Sequence, residues 1–188
     1  MRLSKEMPLI NTPKKKTLIL DRDAAVLRAI AKAVPESEIG SKSLSKILET
    51  MKQALHGEDD GVAIAAPQIG ASLRIFIVKG STLALASGAP EEEAKGLADI
   101  VFINPEITKV SKKMKRMEEG CLSVRWLYGN VKRHEKVTLS ATTEDGKHFS
   151  VGASGLLAQI FQHEVDHLDG VLFIDKAENV RNLPPDAE

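Results

Sequence analysis

The stretch GLLAQIFQHEVDHLDG, Gly155 to Gly170, decides how the rest of the chain is read. Its apolar residues recur at helical spacing, and Gly170 stands where a glycine ends a helix. A helix is therefore expected from about Ser154 to Leu168. Taking Leu156 as zero on a helical wheel, Ile160 falls at roughly 40°, Leu157 at roughly 100°, Phe161 at roughly 140° and Val165 at roughly 180°. Gln159, Gln162, Asp166 and Asp169 fall on the other half, the expected polar side. His163 and His167 lie one turn apart at the edge of the apolar arc, so two imidazoles can face one ion. Together with Glu164 they form the H-E-x-x-H pattern of many metal hydrolases. Glu164 falls inside the apolar arc. A buried carboxylate is costly unless paired, hydrogen-bonded or shifted in pKa, and a shifted one beside a metal-activated water suits proton transfer. Asp166 sits beside the histidines on the polar side, either as an orienting group or as a surface aspartate.

Working outward, Asp23 can cap a helix running to about Val34. Ser43 can cap a second, with Leu44, Ile47, Leu48, Met51 and Leu55 on one face and Gly57 as its stop. GVAIAAPQIG, Gly61 to Gly70, is too broken for a helix and too apolar for an ordinary surface loop. Leu73–Val78 reads as a buried strand and Val101–Ile107 as a strand with a proline break. A further strand runs toward Met117. Val131–Thr143 and His148–Gly152 flank Glu144-Asp145-Gly146, a hairpin signal. These elements predict an α+β fold: N-terminal helices, short antiparallel or mixed sheets, and a C-terminal helix carrying the histidine motif. One domain over 1–188 is expected, with 1–16 as a loose arm, 80–98 as a surface insertion and 175–188 as a tail.

Lys plus Arg equals Asp plus Glu at 26 each, so no overall field draws nucleic acid or an anionic membrane. No apolar run approaches a membrane span, and the first residues, MRLSKEMPLINTPKKK, lack the apolar core of a signal peptide. With one cysteine, Cys121, an internal disulfide is ruled out, and a reducing, cytoplasmic setting is expected.

A catalytic ion needs a third protein ligand. His56, His134 and His148 are isolated and read as surface or strand histidines. No histidine follows Gly170, and the glutamates beyond it, Glu178 and Glu188, lie in the tail. Cys121 remains, within EEGCLSV. A lone cysteine is ordinarily a small buried hydrophobe. Glu119 and Gly120 are poor core neighbours, which favours a ligand, and Cys-His-His leaves a fourth position open.

Three segments then resemble one family. GVAIAAPQ (Gly61–Gln68), EGCLS (Glu119–Ser123) and QHEVDHL (Gln162–Leu168) stand in the order and spacing of peptide deformylases. The resemblance extends from the first helix to Phe173. It implies a metal-dependent hydrolase that removes the formyl group from N-formylmethionine on new polypeptides, releasing formate. It implies Cys121, His163 and His167 as ligands of one divalent metal, natively Fe2+, with Zn2+ or Ni2+ in isolated protein. Glu164 would move the proton, and the Gln68 amide with the Leu122 backbone N–H would meet the oxyanion. Gly61, Val62, Ala63, Glu119, Gly120, Leu156 and Ile160 would border the peptide, with Val62 and Ala63 pairing to its backbone. The partners implied are nascent N-formylmethionyl peptides, with a transient ribosome contact and no direct nucleic-acid site. Ala63 stands where the family has glycine. The family's proline after EGCLS is missing from VRWLYG, and Tyr128 stands at the register of an arginine that helps bind the peptide, with Arg125 nearby. Two alternatives stand beside this reading: an H-E-x-x-H metallopeptidase, which needs a histidine or glutamate as third ligand, and a deformylase-like protein with altered specificity or a binding role.

Overall fold

The computed structural model describes residues 18–185; the expected arm over 1–16 lies outside them. The elements are α1 (Lys42–His56), β1 (Ala63–Ala65), β2 (Ile75–Val78), α2 (Gly80–Ala86), α3 (Glu91–Ala94), β3 (Ile100–Val110), β4 (Met114–Glu119), β5 (Leu127–His134), β6 (Lys136–Thr142), β7 (His148–Ser154), α4 (Gly155–Leu168) and β8 (Glu178–Asn182). They form an α+β fold. One sheet runs β1-β2-β3-β6-β7 and a second runs β4-β5-β8, and every pairing is antiparallel.

Alternation along β2 sorts its side chains between two cores. Phe76 and Val78 face Leu157, Ile160 and Phe161 of α4, while Ile75 and Ile77 face Leu44, Leu48, Met51 and Leu55 of α1. Phe76 stacks on Phe102 at 4.5 Å, and Phe161 closes the group with ring centroids 5.9 and 5.2 Å from those two. Truncating Phe161 to alanine removes the piece that seats α4 on the sheet, at a cost of about 3–5 kcal/mol.

The structure differs from several sequence expectations. Between Asp23 and Val34 there is only a 3-10 turn, Ala25–Arg28; the Ala31 N–H donates to the Leu168 carbonyl instead of continuing a helix. α1 is capped by Ser41, whose hydroxyl accepts from the Leu44 N–H at 3.1 Å, two residues before the expected cap. The anticipated Val131–Thr143 strand breaks at Glu135. Its first part belongs to β5 in the small sheet, and only β6 forms the hairpin with β7. Residues 80–98 carry α2 and α3, with Thr82 and Ala94 buried and Leu83 and Ala86 packed on the core. The tail contributes β8, which pairs with β5.

The most consequential difference concerns α4. Gln159 and Gln162, expected on a wet face, are buried. Gln159 Nε2 donates to the Glu118 carbonyl at 2.7 Å. Gln162 accepts from the His134 N–H and donates to the His134 carbonyl, both at 3.0 Å. The helix is gripped by the large sheet through apolar side chains and by the small sheet through amides, so its polar face is an interface rather than a surface. Among the described residues no helix is long and apolar enough to cross a membrane.

Candidate active site

α4 brings His163, Glu164 and His167 against the segment that follows β4, where Cys121 sits. One donor atom from each of Cys121, His163 and His167 lies within 4.8 Å of the others, and Cys121 Sγ is 3.2 Å from His167 Nε2. His163 Nδ1–H donates to Glu119 Oε2 at 2.9 Å, which fixes the tautomer and leaves Nε2 for an ion. Burial alone would raise the Cys121 thiol, but His167 and His163 overcome it and bring the thiol down to about 5. A thiolate and two imidazoles make a donor set suited to a soft or borderline divalent ion. His167 Nδ1 and Glu164 Oε2 are the buried side-chain polar atoms without a partner among the described residues. The orphaned Glu164 Oε2 beside the three donors fits a site whose remaining partners are an ion and its water.

Glu164 is 4% exposed, as its place in the apolar arc requires. Burial pushes its carboxyl up to about 7, against the pull of His163 and His167. Gln68 reaches the same centre from the 3-10 turn after β1. Its Oε1 accepts from the Ala65 N–H at 2.8 Å. That contact turns Nε2 toward Ser123 Oγ at 3.2 Å and Cys121 Sγ at 3.7 Å.

Glu119 lines the cleft that opens onto this centre and is also tied into a buried ion-pair cluster. Arg133 Nε and Nη2 donate to its two oxygens at 2.7 and 2.8 Å, in addition to the contact from His163. Burial alone would raise this carboxyl, but the hydrogen bonds from Arg133 and His163 hold it at about 2. Arg133 Nη1 also donates to Asp166 Oδ2 at 2.6 Å, and Lys176 Nζ donates to Asp166 Oδ1 at 2.7 Å. Asp166 thus touches the metal site only through Arg133. Sequence reading missed Arg133. Its signal was present: Gly129, Val131 and Arg133 share one side of β5, and an arginine on the buried side of a strand calls for a carboxylate opposite.

A cleft of about 320 Å³ opens onto this centre. Val62, Ala63, Leu156 and Ile160 line it, with Gly120 and Tyr128 on the opposite wall. Ile160 is buried, whereas Leu156 and Val62 are half-exposed at the opening. Gly61 is not among the lining residues; a Cβ there would meet Leu55 of α1 at 3.1 Å, so packing explains that glycine. Gly120 is required by the site, since a Cβ would lie 2.7 Å from the Tyr128 ring. The Val62 carbonyl accepts from the Lys79 N–H at 3.0 Å and is unavailable to a ligand. Alternation then turns the Ala63 N–H and C=O toward the free edge of β1.

Known proteins share this arrangement. The polypeptide deformylase family model matches residues 16–182. A peptide deformylase of Symbiobacterium thermophilum is 39% identical over 170 residues, 90% of this chain and 70% of the relative. That of Halothermothrix orenii is 44% identical over 158 residues, 82% of this chain and 89% of the relative. A class I type b peptide deformylase from Acinetobacter baumannii, solved with Met-Ala-Ser bound, superposes with a TM-score of 0.73 at 36% identity, covering 84% of this chain and 96% of that one. With a matching family model over nearly its whole length and a Cys-His-His centre in place, the chain belongs to the peptide deformylase family.

Proposed function

We propose an assignment of roles for the family's reaction, removal of the formyl group from the N-terminus of new polypeptides, as this chain carries it out. Cys121, His163 and His167 hold one divalent ion, Fe2+ in the native enzyme. A bound ion supplies Lewis acidity, acidifying a water near neutral pH and drawing charge from the formyl oxygen. Glu164 takes the proton of the attacking water at its carboxylate and returns it to the amine as the formamide C–N bond breaks, giving formate and a free N-terminus. Its place in an apolar pocket beside the three donors, where burial raises the carboxyl, suits it to take up and return a proton.

Gln68 and Leu122 meet the negative charge that develops on the formyl oxygen. The Gln68 amide is oriented beforehand by the Ala65 N–H, and the Leu122 N–H has no acceptor among the described residues. Donors fixed in advance cost no reorganisation when the charge appears. Glu119 serves as the acceptor that aims His163, itself held by Arg133, in addition to its place in the cleft wall. The methionine side chain lies among Val62, Leu156 and Ile160. The backbone that follows pairs as an added strand with the outward Ala63 groups.

The observation that carries this reading is the unpartnered Glu164 Oε2 buried beside the three-donor cluster. A cysteine as third donor disfavours the metallopeptidase alternative. The Met-Ala-Ser complex of the Acinetobacter relative supports a peptide running through the equivalent cleft. A reducing, cytoplasmic setting and a transient contact with the ribosome belong to the same reading, because the substrate emerges there and the thiolate must stay reduced. Formate release from formyl-Met-Ala-Ser by anaerobically prepared, iron-loaded protein tests it. Release is expected; absence of release from folded, metal-loaded protein would refute the assignment.

A further inference from the structure

The large sheet ends in a strand, β7, whose outer side is unpaired among the described residues. β7 pairs with β6 along its inner side, from Lys136↔Ser154 to Thr142↔His148, with no shift of register. The Thr143 N–H donates to the Lys147 carbonyl at one end of this ladder, and the Gly155 N–H donates to the Glu135 carbonyl at the other. Alternation between those two bonds turns the backbone of Phe149, Val151 and Ala153 toward β6 and that of His148, Ser150 and Gly152 outward. The outward groups have no partner among the described residues. The other sheet edges are protected by charge or already in use. β4 carries Lys115, Arg116, Glu118 and Glu119, β8 carries Glu178 and Arg181, and β1 borders the peptide cleft. β7, HFSVGAS, has no lysine, arginine, carboxylate, proline or bulge, the devices that keep sheet edges apart.

Two further features mark this edge. Gly152 sits inside the strand, where glycine weakens a sheet. Its φ is not positive, and a Cβ there would meet nothing within 4 Å, so neither conformation nor packing within the chain requires a glycine. A glycine so placed fits the close approach of another backbone. Phe149 and Val151 pack against the core beside α4 but stay half-buried, because no further strand among the described residues covers their outer sides. On the opposite face Ser150, Gly152 and Ser154 are exposed and small, so little stands in the way of an added strand.

We propose that β7 pairs with β7 of a second copy of this chain, joining the two five-stranded sheets across a two-fold axis. The strand is complementary to itself in one antiparallel register. With the axis at Val151, the outward backbone of Ser150 meets that of Gly152 of the second copy in a hydrogen-bonded pair, and Val151 faces its twin. Phe149 then lies opposite the small Ala153 of the second copy, so large meets small and the half-buried apolar edge is covered from both sides. No charge of β7 is brought opposite a like charge, since His148 meets Ser154. The free edge of β1, beside the cleft, is at the other end of the same sheet, so both clefts stay open. A single strand pairing buries a narrow strip, which makes a weak dimer that forms with rising concentration.

The test is the solution mass of the full chain from micromolar to millimolar concentration, by sedimentation equilibrium, with amide hydrogen exchange on the same samples. The mass should rise from that of the 20.4 kDa chain toward twice that value, and exchange at Ser150 and Gly152 should slow in step. Ser150→Pro removes an outward N–H that has no acceptor within the chain, so it should keep the fold and stay monomeric throughout. Ser150→Lys sets two lysines beside the axis and should do the same without constraining the backbone. Circular dichroism and metal content should match the unsubstituted chain in both variants, because β7 supplies no ligand to the Cys121-His163-His167 centre. A mass that stays at 20.4 kDa at every concentration would overturn the inference. So would a dimer that survives either substitution in folded protein. Edge amides already protected in the dilute monomer would overturn it too, since another segment of the chain would then occupy the strand.

Discussion

The floor of the cleft and its rim are built by different means. On the floor, Gln68, His163 and Glu119 are each aimed by a buried neighbour. Ala65 N–H turns Gln68, Glu119 turns His163, and Arg133 turns Glu119 while reaching Asp166. On the rim, Asp60, Arg125 and Trp126 are partly exposed and are tied by ion pairs and a cation–ring contact. Water weakens rim interactions of this kind, while burial makes each floor contact costly to break. The floor is thus arranged for one chemical task, whereas the rim is held by contacts that water screens. Substitutions should separate the two regions, the floor changing rate or metal retention and the rim changing KM.

Cys121→Ala should have the largest effect. With one donor gone, the protein should lose its metal under dialysis, measured by elemental analysis, and activity should fall to background. Gln68→Ala comes next. Loss of one oxyanion donor should lower kcat by about 10²–10³ with metal content preserved. If KM rises instead, Gln68 serves peptide binding and the line between floor and rim has been drawn in the wrong place. Arg133→Met removes the cationic partner of buried Glu119 and leaves it only the His163 contact, which should cost about 3–5 kcal/mol in unfolding experiments. It should also weaken metal binding by about 10–100-fold through His163. Pairing it with Glu119→Gln should recover part of the stability. Leu156→Ala is the mildest change. At a half-exposed site it should alter stability by no more than about 0.5 kcal/mol and raise KM for formyl-Met-Ala-Ser severalfold; an equal fall in kcat would place Leu156 with the floor.

The chain's sequence was most legible where one residue's chemistry was expensive. Glu164 in an apolar arc had to be buried and shifted, and it is. The histidine pair and Cys121 converge because helical spacing and the motif order leave few other arrangements. The face assigned to water on α4 was misread for a physical reason. Gln159 and Gln162 look solvated in a single helix, and only the strands carrying Glu118 and His134 reveal their partners. The same limit hid Arg133, whose carboxylate lies 14 residues away on a neighbouring strand. It also hid the break at Glu135, where continuous alternation conceals a change of sheet. The ion pair of Arg125 with Asp60 spans 65 residues, so no local pattern announces it.

The central claim is that Glu164 carries the proton for formamide hydrolysis at the Cys121-His163-His167 centre. Its most direct test is Glu164→Gln, with formate release from formyl-Met-Ala-Ser and bound metal measured on the same anaerobic preparation. Full metal content with a rate lowered by about 10²–10⁴ is the predicted result. A metal-loaded variant that releases formate at close to the wild-type rate would contradict it.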